Sequence, residues 1–307
     1  MIKNPPALVS DKHPVLSLLL ILALVGMGFV LVGPLIGMLV ASAFYDTSLL
    51  NSFSNPDPKM VAPLMVVQGF TTLIGLIVLP IIYVTMMENK SIKKFFTYER
   101  DFKVYFILLV LGVCFMVAIS PVIEWNMGIQ LPDFLKQFDD WARDTEGKLA
   151  EVTKLMTDFT SFGQFAASLF VIALLPAIGE ELVFRGLIQN EILRGTRNVH
   201  VAIWFAAILF SAIHMQFFGF VPRVLLGAMF GYLYWWSGNL TIPIVAHFIH
   251  NGFTLTMIYL YNIGSVDIDG EESAPVTFVI VTLVVTAIIL FYLRKYFTSS
   301  QTSDESN

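Results

Sequence analysis

Acids, imidazoles and an amide gather at three places in this chain: Glu180-Glu181-Leu-Val-Phe-Arg185, Phe210-Ser-Ala-Ile-His214 and His247-Phe-Ile-His-Asn251. Each place lies inside a run that is otherwise apolar, where an ionisable side chain is costly and marks a functional candidate. Glu181 and Arg185 stand four apart, share a helix face and read as an ion pair, each member offsetting the other's desolvation. Glu180 points about 100° away from Glu181. It lacks that partner and is the carboxylate suited to act as a general base. Glu180 is 15 residues before Gly195 and His214 is 15 after Val199. A hairpin turning between Gly195 and Val199 brings the two to similar depth. His247 and Asn251 share a face, with His250 about 60° off it. The set suits water-driven acyl chemistry: Glu180 and His214 hold and deprotonate a water, and His247 and Asn251 donate to the developing oxyanion. Any one of these residues alone is more often a helix-packing contact. All of them as packing is disfavoured, because buried unpaired carboxylates are expensive.

The elements that must position these residues are membrane helices. The 307 residues are 56% hydrophobic and 13% charged, against about 25% charged in soluble domains, and the mean hydropathy is +0.75. A net charge of −5 excludes a broadly basic nucleic-acid binder. The single cysteine, Cys114, excludes an intrachain disulfide framework and a Cys-based zinc site. The apolar runs are continuous rather than alternating, and a spanning helix needs about 20 such residues. The fold expected is all-α, a polytopic bundle of about eight transmembrane helices: 15–44, 61–87, 104–125, 163–187, 201–220, 221–236, 240–263 and 275–293. Along the chain this gives residues 1–100 as two helices and a loop, 101–162 as the third helix and an amphipathic segment, 163–263 as the core, and 264–307 as the last helix and a polar tail expected to be disordered. The first run is too long for a cleaved signal.

Lys and Arg set the expected orientation. With Lys3 and Lys12 in the cytoplasm, the inner loops collect Lys90, Lys93, Lys94, Arg100, Lys103, Arg194 and Arg197, and the tail opens with Arg294 and Lys295. Asp267, Asp269, Glu271 and Glu272 fall outside. Both termini are then cytoplasmic in a multi-pass protein of the cell membrane. Between about 126 and 162, Phe134, Phe138, Trp141, Thr145, Leu149, Val152, Met156 and Phe159 recur at helical spacing among acids. This reads as an amphipathic helix on the outer interface, or equally as a helix capping the bundle.

The three motifs resemble EExxxR, FxxxH and HxxxN of the CPBP family, the CAAX-protease and bacteriocin-processing intramembrane endopeptidases. The resemblance covers about 176–253, a quarter of the chain. It implies an eight-helix membrane peptidase in which Glu180 and His214 activate water, His247 and Asn251 stabilise the oxyanion, and Glu181 and Arg185 orient the site. His250 is extra to the pattern and takes no role. The partners implied are the lipid bilayer and a membrane-associated peptide or protein, with no nucleic acid and an open oligomeric state. No cofactor is expected. If a metal were held, zinc on Glu180, His214 and His247 would be the set, but no HExxH stands on one helix.

Two other readings compete. One is a non-proteolytic factor of the same fold, such as a bacteriocin-immunity or scaffold protein. The other is a proton-coupled transporter, which the one-sided polar cluster and the lack of an internal repeat oppose. Gly33-xxx-Gly37 and Gly227-xxx-Gly231 read as faces for tight helix contact within the chain, and Trp235 and Trp236 as an interfacial belt.

Overall fold

The computed structural model describes residues 10, 12–47, 58–96, 101–159, 161–267 and 274–303. Lys3, Arg100, Asp269, Glu271, Glu272 and the last four residues of the tail lie outside these. The described residues form an all-α membrane bundle. Its helices are α1 (Pro14–Ser42), α2 (Val61–Met87), α3 (Phe102–Met127), α4 (Lys136–Thr157), α5 (Phe162–Thr196), α6 (Val199–Ala212), α7 (Phe220–Ser237), α8 (Thr241–Asn262) and α9 (Val276–Ser303). Each of the eight expected runs contains a helix, and α4 is the amphipathic segment between the third and fourth. Among the described residues, α1, α2, α3, α5 and α9 are long and apolar enough to cross a bilayer. The chain is a multi-pass membrane protein.

Local chemistry sets the boundaries. Asp101 caps α3 by accepting from Lys103 N–H. Ser161 and Gln164 form a capping box at the start of α5, and Asn198 accepts from His200 and Val201 N–H at the start of α6. Left-handed backbone at Arg197 and Gly238 closes α5 and α7. The polar tail is helical further than expected, since α9 continues to Ser303. Lys12 meets Glu88 at 2.6 Å, just beyond α2. Burial works to raise the Glu88 pKa, but hydrogen bonds from Lys12, Ser10 and Tyr83 outweigh it and hold the carboxyl below its usual range.

Pro176 does not break α5. Wide i→i+5 turns at Leu169–Leu174 run into a regular segment with Pro176 at its start, which absorbs the missing donor without an open gap in the backbone. The small-residue face on α1 is a contact within the chain. A side-chain carbon at Gly33 would stand 2.7 Å from Thr71 Cα, and one at Gly37 2.8 Å from Val67 Cα, both on α2. Trp235 departs from the expected interfacial belt. It is buried with Ile203, Ala207, Val224 and Ala228, where α6 and α7 cross.

The sixth and seventh elements differ most from the hydropathy reading. The run expected as helix through Phe220 ends at Ala212, and residues 213–219 form a loop with Met215 at φ 55°. His214 therefore stands just past a helix end, not inside a span. Hydropathy cannot see this break because the loop is apolar too. Irregular backbone is tolerated in a membrane protein where protein buries it, and here α3 and α4 do so. Asn126 of α3 donates to Phe217 O at 3.2 Å and accepts from Val221 N at 2.8 Å. Glu146 of α4 accepts from Phe218 N at 3.0 Å, Phe138 meets Phe217 edge-on, and Arg143 lies over the Phe218 ring. The aromatics at and just before the start of α4, Phe134, Phe138 and Trp141, are exposed, while Ala142, Met156 and Thr157 are buried. The helix thus caps a loop and leaves an apolar edge facing outward.

Candidate active site

α5 is the central element. Within its most apolar window 61% is buried, against 11% for α9 on the periphery. Gly179 lets it approach α2 closely: a side-chain carbon there would fall 2.6 Å from Leu76 Cβ. The next two residues are the glutamates. Glu181 is fully buried and its Oε1 accepts from Arg185 Nη1 at 2.7 Å. Arg185 Nη2 donates to Gly227 O on α7 at 2.9 Å. The guanidinium lies over the Phe210 ring at 4.7 Å and the Phe230 ring at 5.4 Å. A carboxylate, a carbonyl and two aromatic faces together accommodate a cation that would otherwise be very costly to bury in these apolar surroundings.

His247 joins this pair to Glu180. Its Nδ1 donates to Glu181 Oε1 at 2.8 Å, and its Nε2 lies 3.8 Å from Glu180 Oε2. The imidazole stacks on Phe230, with ring centres 5.0 Å apart, and meets Phe210 edge-on at 6.0 Å. Arg185, Glu181, His247 and Glu180 therefore form one chain of contacts from α5 to α8 and back. Glu180 is its partly open end, with 13% of its side chain accessible against none for Glu181.

His214 enters from the α6–α7 loop. Its Nδ1 donates to Phe210 O at 2.7 Å, and its ring meets the Phe210 ring edge-on at 5.2 Å. Nε2 is left as the nitrogen free to accept. Phe210 thus touches both imidazoles and Arg185. Among the described residues the imidazole paired with Glu180 is His247, and no hydrogen bond or ion pair joins Glu180 to His214. Asn251 is half-buried one turn along from His247. His250 is half-buried with Nδ1 unpaired.

The roles of three residues escaped the sequence reading. Phe210 and Phe230 are the faces that hold Arg185 and His247. Phe210 was visible as the first residue of its motif, whereas nothing marks Phe230 among 27 Phe. Arg223, in the first turn of α7, is the third. No group of three or more His, Cys, Asp or Glu is arranged to hold a metal ion among the described residues.

The family model described as type II CAAX prenyl endopeptidase Rce1-like matches residues 162–253, which hold every one of these side chains. Residues 162–253 are thus similar to Rce1-like type II CAAX prenyl endopeptidases. The uncharacterized protein YpbD of Bacillus subtilis is 33% identical over 82 residues, covering 25% of this chain and 39% of that protein. The membrane-embedded CAAX protease MroQ of Staphylococcus aureus is 30% identical over 93 residues, covering 28% of this chain and 37% of that protein. The chain therefore spans less than half the length of either relative. No solved structure matches the chain. Helices α1–α4 and α9 lie outside the matched residues and pack around them.

Proposed function

We propose that this protein is an intramembrane endopeptidase that cuts peptide bonds of membrane-associated substrates with a water activated by Glu180. The observation that carries the reading is the contact chain from Arg185 through Glu181 and His247 to Glu180. It fixes the far members by burial and leaves one carboxylate partly accessible. Glu180 takes a proton from water as the water oxygen bonds to the peptide carbonyl carbon. The oxyanion receives hydrogen bonds from Nε2–H of protonated His247 and from the Asn251 amide. The carbon–nitrogen bond then breaks as the proton on Glu180 passes to the leaving nitrogen. His214, its Nδ1 committed to Phe210 O, offers Nε2 as a second acceptor for the water. Glu181 and Arg185 orient His247. The matched family and MroQ, whose name states a CAAX protease, support CAAX-type substrates. Leader sequences and small membrane peptides fit the same chemistry.

Peptide-library cleavage by the purified protein in detergent, followed by mass spectrometry, tests the reading. Defined cleavage by the wild type that is lost in Glu180→Gln supports it. Equal cleavage by both, or none by either, overturns it. The water route through Glu180 needs no metal, so a strong chelator is expected to leave the rate unchanged. A loss restored by zinc would replace this route with a metal-bound one.

A further inference from the structure

Arg223 stands nine residues after His214 and four after Gly219. Its guanidinium folds back over the α6–α7 loop, with Nη2 donating to Gln216 Oε1 at 2.5 Å. A side-chain carbon at Gly219 would sit 3.3 Å from Nη2 and 3.6 Å from Nη1, so the glycine leaves the space in which the guanidinium lies. Nη1 is buried and has no hydrogen-bond partner among the described residues. Glu180 of α5 and Glu146 of α4 act on the charge of Arg223, and Arg223 in turn acts on Glu180 and His214. Glu146 is already committed to Phe218 N–H. A held cation with an unused donor edge thus lies against the loop that carries His214.

A guanidinium offers its N–H groups in a planar fork, and a buried donor left unpaired is costly. A carboxylate matches the fork with two oxygens and compensates the charge, whereas a single peptide carbonyl does neither fully. The edge lies one turn of α7 before Gly227, whose carbonyl holds Arg185, and outside the enclosed Glu181–Arg185 pair. We infer that Arg223 is a specificity-determining residue whose Nη1 edge binds a carboxylate of the peptide being cut, with the end carrying that carboxylate lying on the α6–α7 loop side of Glu180. The carboxylate is the peptide's C-terminus or an acidic side chain close to it. The inference rests on the peptidase reading for its meaning, but its test needs no turnover.

The test uses the intact protein in detergent with Glu180→Gln as a binding-only background. Three N-terminally labelled apolar hexapeptides are compared: a free C-terminal acid, the C-terminal amide, and the amide with Asp in last place. The acid is expected to bind about 10- to 100-fold more tightly than the plain amide, the range for a charge-assisted hydrogen bond. Binding of the Asp-containing amide at the acid's level assigns the site to any nearby carboxylate. Binding at the plain amide's level assigns it to the C-terminus. Adding Arg223→Gln should remove the preference by weakening the acid alone, and Arg223→Lys should keep part of it, with charge but no fork. Where Arg223→Gln does not fold, Gly219→Ala, which displaces the guanidinium, should weaken the acid selectively. In the cleaving enzyme Arg223→Gln should raise KM for the acid more than it lowers kcat. The inference is overturned if Glu180→Gln shows no acid preference, if the preference survives Arg223→Gln, or if acid and amide weaken equally. Equal weakening would mean that the guanidinium braces the loop or meets the reacting carbonyl. An acid preference in a protein that cuts no peptide would overturn the peptidase reading and leave the carboxylate site standing.

Discussion

His247 separates the work of two glutamates that the sequence sets side by side. Its Nδ1 holds to Glu181, already fixed by Arg185, so its Nε2 is aimed at Glu180. Glu180→Gln keeps the shape and removes the base. Activity per folded molecule should fall by about two to four orders of magnitude, the range for a general base, with the melting temperature in detergent nearly unchanged. Glu181→Gln leaves Arg185 buried without its counter-charge, a loss of about 3–5 kcal/mol, and removes the acceptor that orients His247. It should lower melting temperature and yield first, and activity as a consequence. A folded, inactive Glu181→Gln beside a fully active Glu180→Gln would reverse the two roles. The Glu181–Arg185 pair was legible in the sequence because residues four apart on a helix meet whatever surrounds them. The pairing of Glu180 with His247 was not. It depends on the register of α5 against α8, and residues 67 apart carry no periodic signal of that register. Arg223 was open to the same desolvation argument as the acids, since it stands inside an apolar run. A search for bases and imidazoles alone passes over it.

The α6–α7 loop shows what an element loses when read from hydropathy alone. Its apolar residues extend the neighbouring runs without a break, so the sequence predicts a helix where the chain instead turns at Met215. What stabilises the turn is supplied from elsewhere. Asn126, buried at the end of α3, bonds to both sides of the loop, at Phe217 O and Val221 N. Such a tertiary contact leaves no trace in local periodicity. Asn126→Ala removes both bonds and leaves two backbone groups unsatisfied, each costing about 1–3 kcal/mol if it stays buried. The expected outcome is a lower melting temperature together with a loss of activity that persists per folded molecule, because His214 rides on the same loop. Asn126→Asp, which keeps the acceptor for Val221 N–H, should fall between. Unchanged activity in a folded Asn126→Ala protein would show that the loop holds His214 without α3. By contrast, the approach of α1 to α2 was legible, because Gly33 and Gly37 expose one side of α1 to the backbone of Thr71 and Val67. Close packing of that kind depends on residue size at fixed helical spacing.

At the scale of the molecule, burial and charge run in different directions. Burial increases inward to α5, and α9 and α1 turn mostly apolar side chains outward, as lipid-facing helices do. Charge divides between the two ends. At one end Arg194, near the close of α5, donates to Ser10 O and Lys12 O, and Lys12 meets Glu88 beyond α2. Leu240 N–H bonds to Phe95 O there, which brings in Lys93 and Lys94, and Tyr296 reaches Asp101, which brings in Lys103 and Lys295. At the other end α4 covers the α6–α7 loop, and Asn262 at the close of α8 holds Thr157 O and Phe159 O. That end carries Asp133, Asp139, Asp140, Asp144, Glu146, Glu151 and Asp267 against Lys136, Arg143, Lys148 and Lys154. Cytoplasmic loops collect Lys and Arg, so the end holding Lys12, Lys93 and Arg194 should face the cytoplasm, with α4 and the site's α6–α7 loop toward the outside. In a Cys114→Ala background, a membrane-impermeant thiol reagent added to intact cells should label a cysteine placed at Asp144 or Asp267. One at Lys93 should be labelled only after the membrane is opened. The reverse pattern would invert the molecule and place α4, His214 and Arg223 on the cytoplasmic side. Substrates would then reach Glu180 from within the cell, and the exposed aromatic edge at Phe134, Phe138 and Trp141 would rest on the inner leaflet rather than the outer one.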